Sequence, residues 1–289
     1  MKINFGESPA KRPGGENERI RSSRRGLLVY FALLIPLSIL GYVLVMKSPG
    51  FVLLLMWAPG LSSILTRLLL REGIADISLR IGGRRTLKTL PIILLFPVAI
   101  GLVAYGLAWI TGLVQYVTPD TYLKAPPAVI FVGLLLVQMI FGTAAGLIGC
   151  VGEELGWRGY MLTRLIDARV PYPMLISGIV WGLWHLPLMI AGQYYSGPYP
   201  VLSVFLFMLT ITSFGYIIGR LRLTTGSVWP AIFLHASWNA VIQNIFDFFS
   251  QGENVLLWTG ESGVLVALSL LAAAWVISRR PMNVRQLGC

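Results

Sequence analysis

Charged residues, cysteine and histidine are all scarce in this chain of 289 residues. Asp, Glu, Lys and Arg together make up 12% of the residues, whereas about 25% is usual in soluble domains. This low charge excludes an ordinary soluble domain. Cys150 falls in or near an apolar run and Cys289 is the last residue, so we expect no disulfide between them. The terminal QLGC also lacks the three residues that a prenylation signal needs after its cysteine.

Long apolar runs dominate the sequence instead, and 56% of the residues are hydrophobic. A transmembrane helix needs about 20 mostly apolar residues. Eight runs meet this requirement, at residues 27–46, 51–70, 90–114, 128–151, 173–192, 201–219, 228–249 and 262–278. The sequence therefore predicts an all-α integral membrane protein, with one bundle of about eight transmembrane helices over residues 27–280. We expect residues 1–26 to form a basic, disordered N-terminus and residues 281–289 a short tail.

The basic residues predict how the bundle lies in the membrane. The net charge of +11 does not indicate nucleic-acid binding, because Lys and Arg lie between the apolar runs, where orientation signals are found. With the N-terminus in the cytoplasm, only Lys47 and Lys124 of the 23 Lys and Arg residues fall on the opposite side. We therefore predict a plasma (inner) membrane protein, in contact with lipid, whose termini are both cytoplasmic. Four arginines are interpreted as orientation signals alone: Arg164, Arg169, Arg220 and Arg222.

Ionisable residues inside apolar runs are costly and usually functional. The two histidines of the chain, His185 and His235, both fall inside predicted spans, and Glu153 and Glu154 end the fourth span. In the predicted topology these groups reach similar depths in the cytoplasmic half of the membrane. The sequence therefore predicts an intramembrane cavity that faces the cytoplasm.

A spacing of four residues recurs in the polar clusters. The pairs are Glu154 and Arg158, Trp181 and His185, and His235 and Asn239. Residues four apart share a helix face, so Arg158 can neutralise Glu154, whereas Glu153 is turned about 100° away. Each group also has a structural interpretation, as an interfacial anchor, a packing hydrogen bond or a packing aromatic.

Together these residue types suit hydrolysis of an amide bond. A carboxylate and a histidine can deprotonate water, and a second histidine with an asparagine amide can stabilise an oxyanion. Glu153, His185 and His235 can instead hold a divalent metal such as zinc, although the sequence requires no cofactor. Neither the H-E-x-x-H zinc motif nor the G-x-S-x-G nucleophile motif occurs, and a buried Cys150 without an adjacent partner is a poor nucleophile.

Three motifs between about residues 142 and 245 resemble those of the CPBP family, which includes the type II CAAX prenyl proteases and the Abi-type proteins of bacteriocin immunity. EELGWR is similar to the family's EExxxR, WGLWH to its FxxxH, and HASWN to its HxxxN. The resemblance implies an eight-helix bundle in which Glu153, paired with His185, activates a water molecule. It implies that His235 and Asn239 stabilise the oxyanion.

The resemblance also assigns Glu154 and Arg158 as a supporting pair. Trp181 stands where the family pattern has Phe, and we expect it to form an aromatic wall that narrows the pocket.

The main functional hypothesis is an intramembrane endopeptidase acting on membrane-associated or prenylated peptides. The first alternative is a non-enzymatic immunity or scaffold protein, which a broken motif would indicate; all three motifs are intact. The second is a proton-coupled transporter, which the lack of an inverted repeat disfavours.

Overall fold

The computed structural model of this protein describes residues 15–80, 83–120 and 124–282, and they are largely helical. The helices in chain order are α1 (Glu16–Lys47), α2 (Val52–Leu70), α3 (Arg84–Ile110), α4 (Pro127–Val137), α5 (Thr143–Gly156), α6 (Leu162–Asp167), α7 (Pro173–Ile190), α8 (Pro200–Thr225), α9 (Trp229–Trp238), α10 (Val255–Trp258) and α11 (Val264–Ser278). Two short 3₁₀ turns lie at Pro49–Phe51 and Ala75–Ile77. Strands β1 (Gln115–Tyr116) and β2 (Ser250–Gln251) pair antiparallel and form the one small sheet of the described ranges.

Three π-helical segments continue or connect the α-helices. Gln138–Gly142 joins α4 to α5, Trp157–Met161 joins α5 to α6, and Asn239–Phe246 extends α9. A π turn holds one more residue than an α turn and is frequent at functional sites. The first two segments make Pro127–Asp167 a single helical stretch of 41 residues.

Among the residues that the structure describes, six helical stretches are long and apolar enough to cross a membrane, by length and composition. They are Glu16–Lys47, Pro49–Leu70, Thr86–Ile110, Pro127–Asp167, Pro173–Ile190 and Pro200–Thr225. The last two predicted spans differ, because α9 gives way to a π-helical segment after 10 residues and α11 has only 15 residues. The all-α membrane architecture is confirmed, while the count of eight spans stays a prediction.

The N-terminal helix begins earlier than the sequence predicts. Helix α1 starts at Glu16, so residues 16–26 are helical rather than disordered as expected. Glu16 and Glu18 lie in the first turn, where negative charge interacts favourably with the helix dipole, and the arginines that follow are good helix formers. Residues 1–14 and 283–289, which include Cys289, lie outside the described residues.

Helices α2 and α5 touch through their backbones. A Cβ atom on Gly60 of α2 would lie 2.6 Å from the carbonyl oxygen of Gly152 of α5. A Cβ atom on Gly152 would lie 2.8 Å from the carbonyl oxygen of Met56. Only glycine fits such a crossing, and this contact fixes the part of α5 that carries Glu153 and Glu154.

Small residues also lie at two further helix contacts. A Cβ atom on Gly146 of α5 would meet Ala236 of α9 at 3.5 Å, and one on Gly215 of α8 would meet Gly178 of α7 at 2.9 Å. Small residues at such positions let membrane helices approach each other closely.

One end of the bundle contains an arginine layer, which we define as Arg67, Arg164 and Arg222 with Glu72 and Asp76. The three arginines are buried. Arg67 and Arg164 each contact the Asp76 carboxylate at 2.7 Å, Arg164 contacts Glu72 at 2.7 Å, and Arg222 donates to the Asp76 carbonyl oxygen at 2.8 Å. The interpretation of Arg164 and Arg222 as orientation signals alone was therefore wrong, because both also hold helix ends together.

The electrostatic effect of this layer is clearest at Asp76, in the loop after α2. Burial on its own would raise the pKa of this carboxyl, but the hydrogen bond from Arg67 and the charges of Arg164 and Arg67 hold the pKa below its usual range.

Candidate active site

A cavity of about 130 Å³ lies inside the bundle. The predicted catalytic residues Glu153, His185, His235 and Asn239 all line it, together with Trp181. They come from α5, α7, α9 and the π-helical segment that extends α9. The structure thus brings together residues that are up to 86 positions apart in the chain.

The cavity extends toward the end of the bundle opposite the arginine layer. Its lining includes Val52 at the start of α2, Leu188 near the end of α7, Tyr194 in the loop after α7, and Glu261 just before α11. The arginine layer lies at the other end of α2, which carries Arg67, and at the C-terminal end of α8, which carries Arg222. If the arginine layer faces the cytoplasm, as the charge pattern predicts, the cavity extends from Glu153 away from the cytoplasm. The membrane side that the cavity faces stays a prediction.

The carboxylate of Glu153 is held by two indole groups. Its Oε2 atom accepts a hydrogen bond from Nε1 of Trp181 at 2.7 Å and a longer one from Nε1 of Trp157 at 3.3 Å. We expected Trp181 to be an aromatic wall, and it also acts as a hydrogen-bond donor. The phenylalanine usual at this position of the family pattern has no such donor.

His185 is oriented by a backbone hydrogen bond. Its Nδ1 atom lies 2.9 Å from the carbonyl oxygen of Trp181. Because a carbonyl oxygen only accepts, Nδ1 is assigned as the donor, and the neutral ring then has a lone pair on Nε2. The rings of Trp184 and Tyr194 pack against the imidazole, with centroids at 4.9 and 5.4 Å.

Behind the cavity wall, Glu154 contacts two basic side chains. Oε1 of Glu154 lies 2.7 Å from Nη1 of Arg158 and 3.0 Å from Nδ1 of His235. The side chains of Glu154 and Arg158 are 0% exposed, and the guanidinium carbon of Arg158 lies 4.3 Å from the centre of a ring of Trp181. The spacing predicted the pair of Glu154 and Arg158; it did not predict that the same carboxylate would hold His235.

Asn239 is partly exposed and lies one turn after His235. Its Nδ2 atom donates to the sulfur of the buried Cys150 at 3.8 Å, and its Oδ1 atom accepts from Nε2 of Gln243 at 3.4 Å. The thiol of the buried Cys150 thus accepts a hydrogen bond from the Asn239 amide.

The predicted metal set does not match this geometry. Within the described ranges, no three His, Cys, Asp or Glu residues are grouped so that they could hold a metal ion. Glu153 directs Oε2 at two indole N–H groups, and His235 directs Nδ1 at Glu154. Glu153, His185 and His235 form no such group in the described ranges, and no step below is derived through a metal.

Three polar residues at the far end of the cavity were missed by the sequence analysis: Tyr194, Gln243 and Glu261. Tyr194 and Glu261 belong to loops, so no helical spacing links them to the motifs. The one available signal was the i,i+4 relation between Asn239 and Gln243, which continues the His235 face by another turn.

The model of the family described as "Type II CAAX prenyl endopeptidase Rce1-like" matches residues 135–241. No curated protein matches this chain. The matched range contains all three motifs and every predicted site residue, and it ends before Gln243 and Glu261. The resemblance stated from the motifs is confirmed.

Proposed function

We propose that this chain is an intramembrane endopeptidase that cuts membrane-associated peptides, prenylated CAAX-type tails among them, and the match of the Rce1-like family model to residues 135–241 supports this proposal. The observation that carries this proposal is the carboxylate of Glu153, bound by Trp181 at 2.7 Å in a cavity shared with His185, His235 and Asn239.

In this proposal Glu153 is the general base. The indole bonds occupy Oε2, which leaves Oε1 to accept a proton from a water molecule in the cavity. Nε2 of His185 accepts the second water hydrogen and so orients the water oxygen toward a peptide carbonyl. The water proton then passes from Glu153 to the leaving amine, which completes hydrolysis of the peptide bond.

His235 and Asn239 stabilise the oxyanion that forms on the peptide carbonyl. His235 donates through Nδ1 to Glu154, so its Nε2 is turned away from that carboxylate. In the doubly protonated ring Nε2 carries an N–H group, which is the donor that an oxyanion needs. The Nδ2 group of Asn239, one turn further along the helix, supplies the second donor.

Glu154 and Arg158 act as a supporting pair in this proposal. Arg158 neutralises part of the Glu154 charge at 2.7 Å, and the shared carboxylate holds the His235 ring at 3.0 Å. We further propose a plasma (inner) membrane location with both termini in the cytoplasm, on the basis of the Lys and Arg distribution.

The test is a comparison of protein termini by mass spectrometry in membranes that express the wild type or Glu153→Gln. We expect new termini with the wild type alone, and the same loss in His185→Ala and His235→Ala, with all variants folded. The termini would also name the substrates. Identical termini from wild type and Glu153→Gln, at equal abundance, would refute hydrolysis and favour a scaffold or immunity protein.

A further inference from the structure

A second carboxylate lies at the far end of the same cavity. Glu261 is 2% exposed and lines the cavity that Glu153 lines. It belongs to the segment between α10 and α11, beyond the matched range of residues 135–241. Neither the motifs nor the proposed hydrolysis gives it a role.

Glu261 is held by uncharged donors. Its Oε2 atom accepts from the hydroxyl of Tyr194 at 2.7 Å, and its Oε1 atom accepts from Nε1 of Trp238 at 2.8 Å and from Nε2 of Gln243 at 3.0 Å. An ionised carboxylate offers about four acceptor positions. Three donors fix the side chain and leave capacity for one more.

No lysine or arginine compensates this carboxylate in the described part of the chain, and His235, a basic residue of the cavity lining, is bonded to Glu154 instead. Glu261 takes part in none of the described ion pairs, and no described Lys or Arg lines the cavity. Burying a carboxylate without a cation is costly, and a cation that enters beside it recovers part of that cost. Apart from Glu153, the remaining walls are mainly aromatic and aliphatic, such as Trp184, Phe214 and Ile211, and they carry no further carboxylate.

We propose that Glu261 binds a cationic group of the substrate, a Lys or Arg side chain close to the bond that is cut. This deepens the proposed function and rests on it, because the cavity of about 130 Å³ is lined by Glu153 and Glu261 alike. A cavity of this size holds a short piece of peptide at most, so the basic residue and the reacting carbonyl lie near each other along the substrate.

The chain offers a matched control in Asp247. This carboxylate lies near the same end of the bundle, and its Oδ1 and Oδ2 atoms accept from the hydroxyls of Tyr105 and Tyr195, respectively. It does not line the cavity that holds Glu153. Neutralising Asp247 removes a partly buried acid from the neighbourhood without removing one from the proposed subsite.

The experiment measures binding of peptides to Glu153→Gln in proteoliposomes, so that turnover is not needed. The probes are lipid-anchored peptides that differ at one position, scanned along the sequence, as Lys, Gln, Glu or norleucine. We expect Lys to bind at least about tenfold more tightly than norleucine at one position. That preference should disappear in Glu153→Gln/Glu261→Gln and persist in Glu153→Gln/Asp247→Asn.

Glu153→Gln/Glu261→Asp retains the charge and should keep the preference, which guards against a fold defect in the Gln variant. Binding without any preference for Lys, or a preference that survives Glu261→Gln, overturns the subsite. Hydrolysis of the same probes by the wild type tests the proposed function separately. A Lys preference in binding without hydrolysis would retain the subsite and refute the peptidase.

Discussion

The bond between Trp181 and Glu153 gives the most direct test of the site. Replacing Trp181 with Phe keeps an aromatic ring and removes the N–H that lies 2.7 Å from Oε2 of Glu153. A hydrogen bond to a charged group contributes about 1.5–3 kcal/mol. Since 1.36 kcal/mol corresponds to a tenfold change in rate, loss of this bond should lower kcat by about 10- to 150-fold.

The expected loss lies toward the lower part of this range because Trp157 still donates to the same oxygen at 3.3 Å. We expect kcat to fall and KM to change little, since the indole orients the base and the peptide does not need it for binding. The assay follows cleavage of a substrate identified from the membrane termini, with purified protein in proteoliposomes.

Trp184→Phe is the matched control. Trp184 lines the same cavity, but its Nε1 atom donates to the hydroxyl of Ser38 at 2.8 Å and not to Glu153. The same change of side chain there should leave kcat within about threefold of the wild type. Equal losses in both variants would mean that lost ring volume, rather than the bond to Glu153, is responsible, and unchanged kcat in Trp181→Phe would refute the orienting role.

Three further predictions concern Asn239 and Arg158 near the site and Asp76 in the arginine layer. Asn239→Ala should lower kcat by about 10²–10³, the usual cost of one oxyanion donor, and a kcat close to that of the wild type would exclude it from the oxyanion site. Arg158→Ala should destabilise the fold by about 3–5 kcal/mol, because it leaves the Glu154 charge buried with one partner fewer; thermal unfolding in detergent measures this, and an unchanged midpoint contradicts it. Asp76 has a lowered pKa, so its charge stabilises the fold at neutral pH and this stabilisation is lost as the pH falls from the ordinary carboxyl pKa through the lowered one. Asp76→Asn should therefore make the unfolding midpoint depend less on pH in acid. A midpoint profile equal to that of the wild type would contradict this role of Asp76.

The motif residues of the site could be predicted from the sequence because the residue spacing that reveals them lies within single helices. Glu154 and Arg158 are four residues apart on one helix, and helix geometry alone brings them within ion-pair distance. The depth of His185 and His235 in apolar runs indicated a cavity for a similar reason, since only a functional or satisfied polar group persists there.

What could not be predicted depends on contacts between distant segments. Glu261 lies in a loop, and its contact with Trp238 requires knowledge of how α9 packs against the segment before α11. Trp181 was interpreted as a packing aromatic because an indole N–H has no sequence signature of its own. Its partner Glu153 is 28 positions away on another helix.

The arginines of the bundle end illustrate a second limit. Arg222 has the same sequence context as an orientation signal at a helix end, and nothing local distinguishes it from one. Its burial follows from Asp76, which approaches from a loop 146 positions earlier. The π-helical segments were missed as well, because a periodic apolar pattern does not reveal where a helix widens by one residue.

The close contact of α2 and α5 at their glycines fixes the backbone on one side of the cavity, whereas side chains elsewhere in the lining can change rotamer. Glu153 follows Gly152, whose backbone rests on the main chain of Met56, and main-chain contacts do not rearrange when side chains change rotamer. The lining from α7 and α8 includes aliphatic side chains such as Leu188 and Ile211. Peptides of different bulk can therefore reshape the lining while the reacting carboxylate keeps its position, which combines broad tolerance of sequence with a constant reaction geometry.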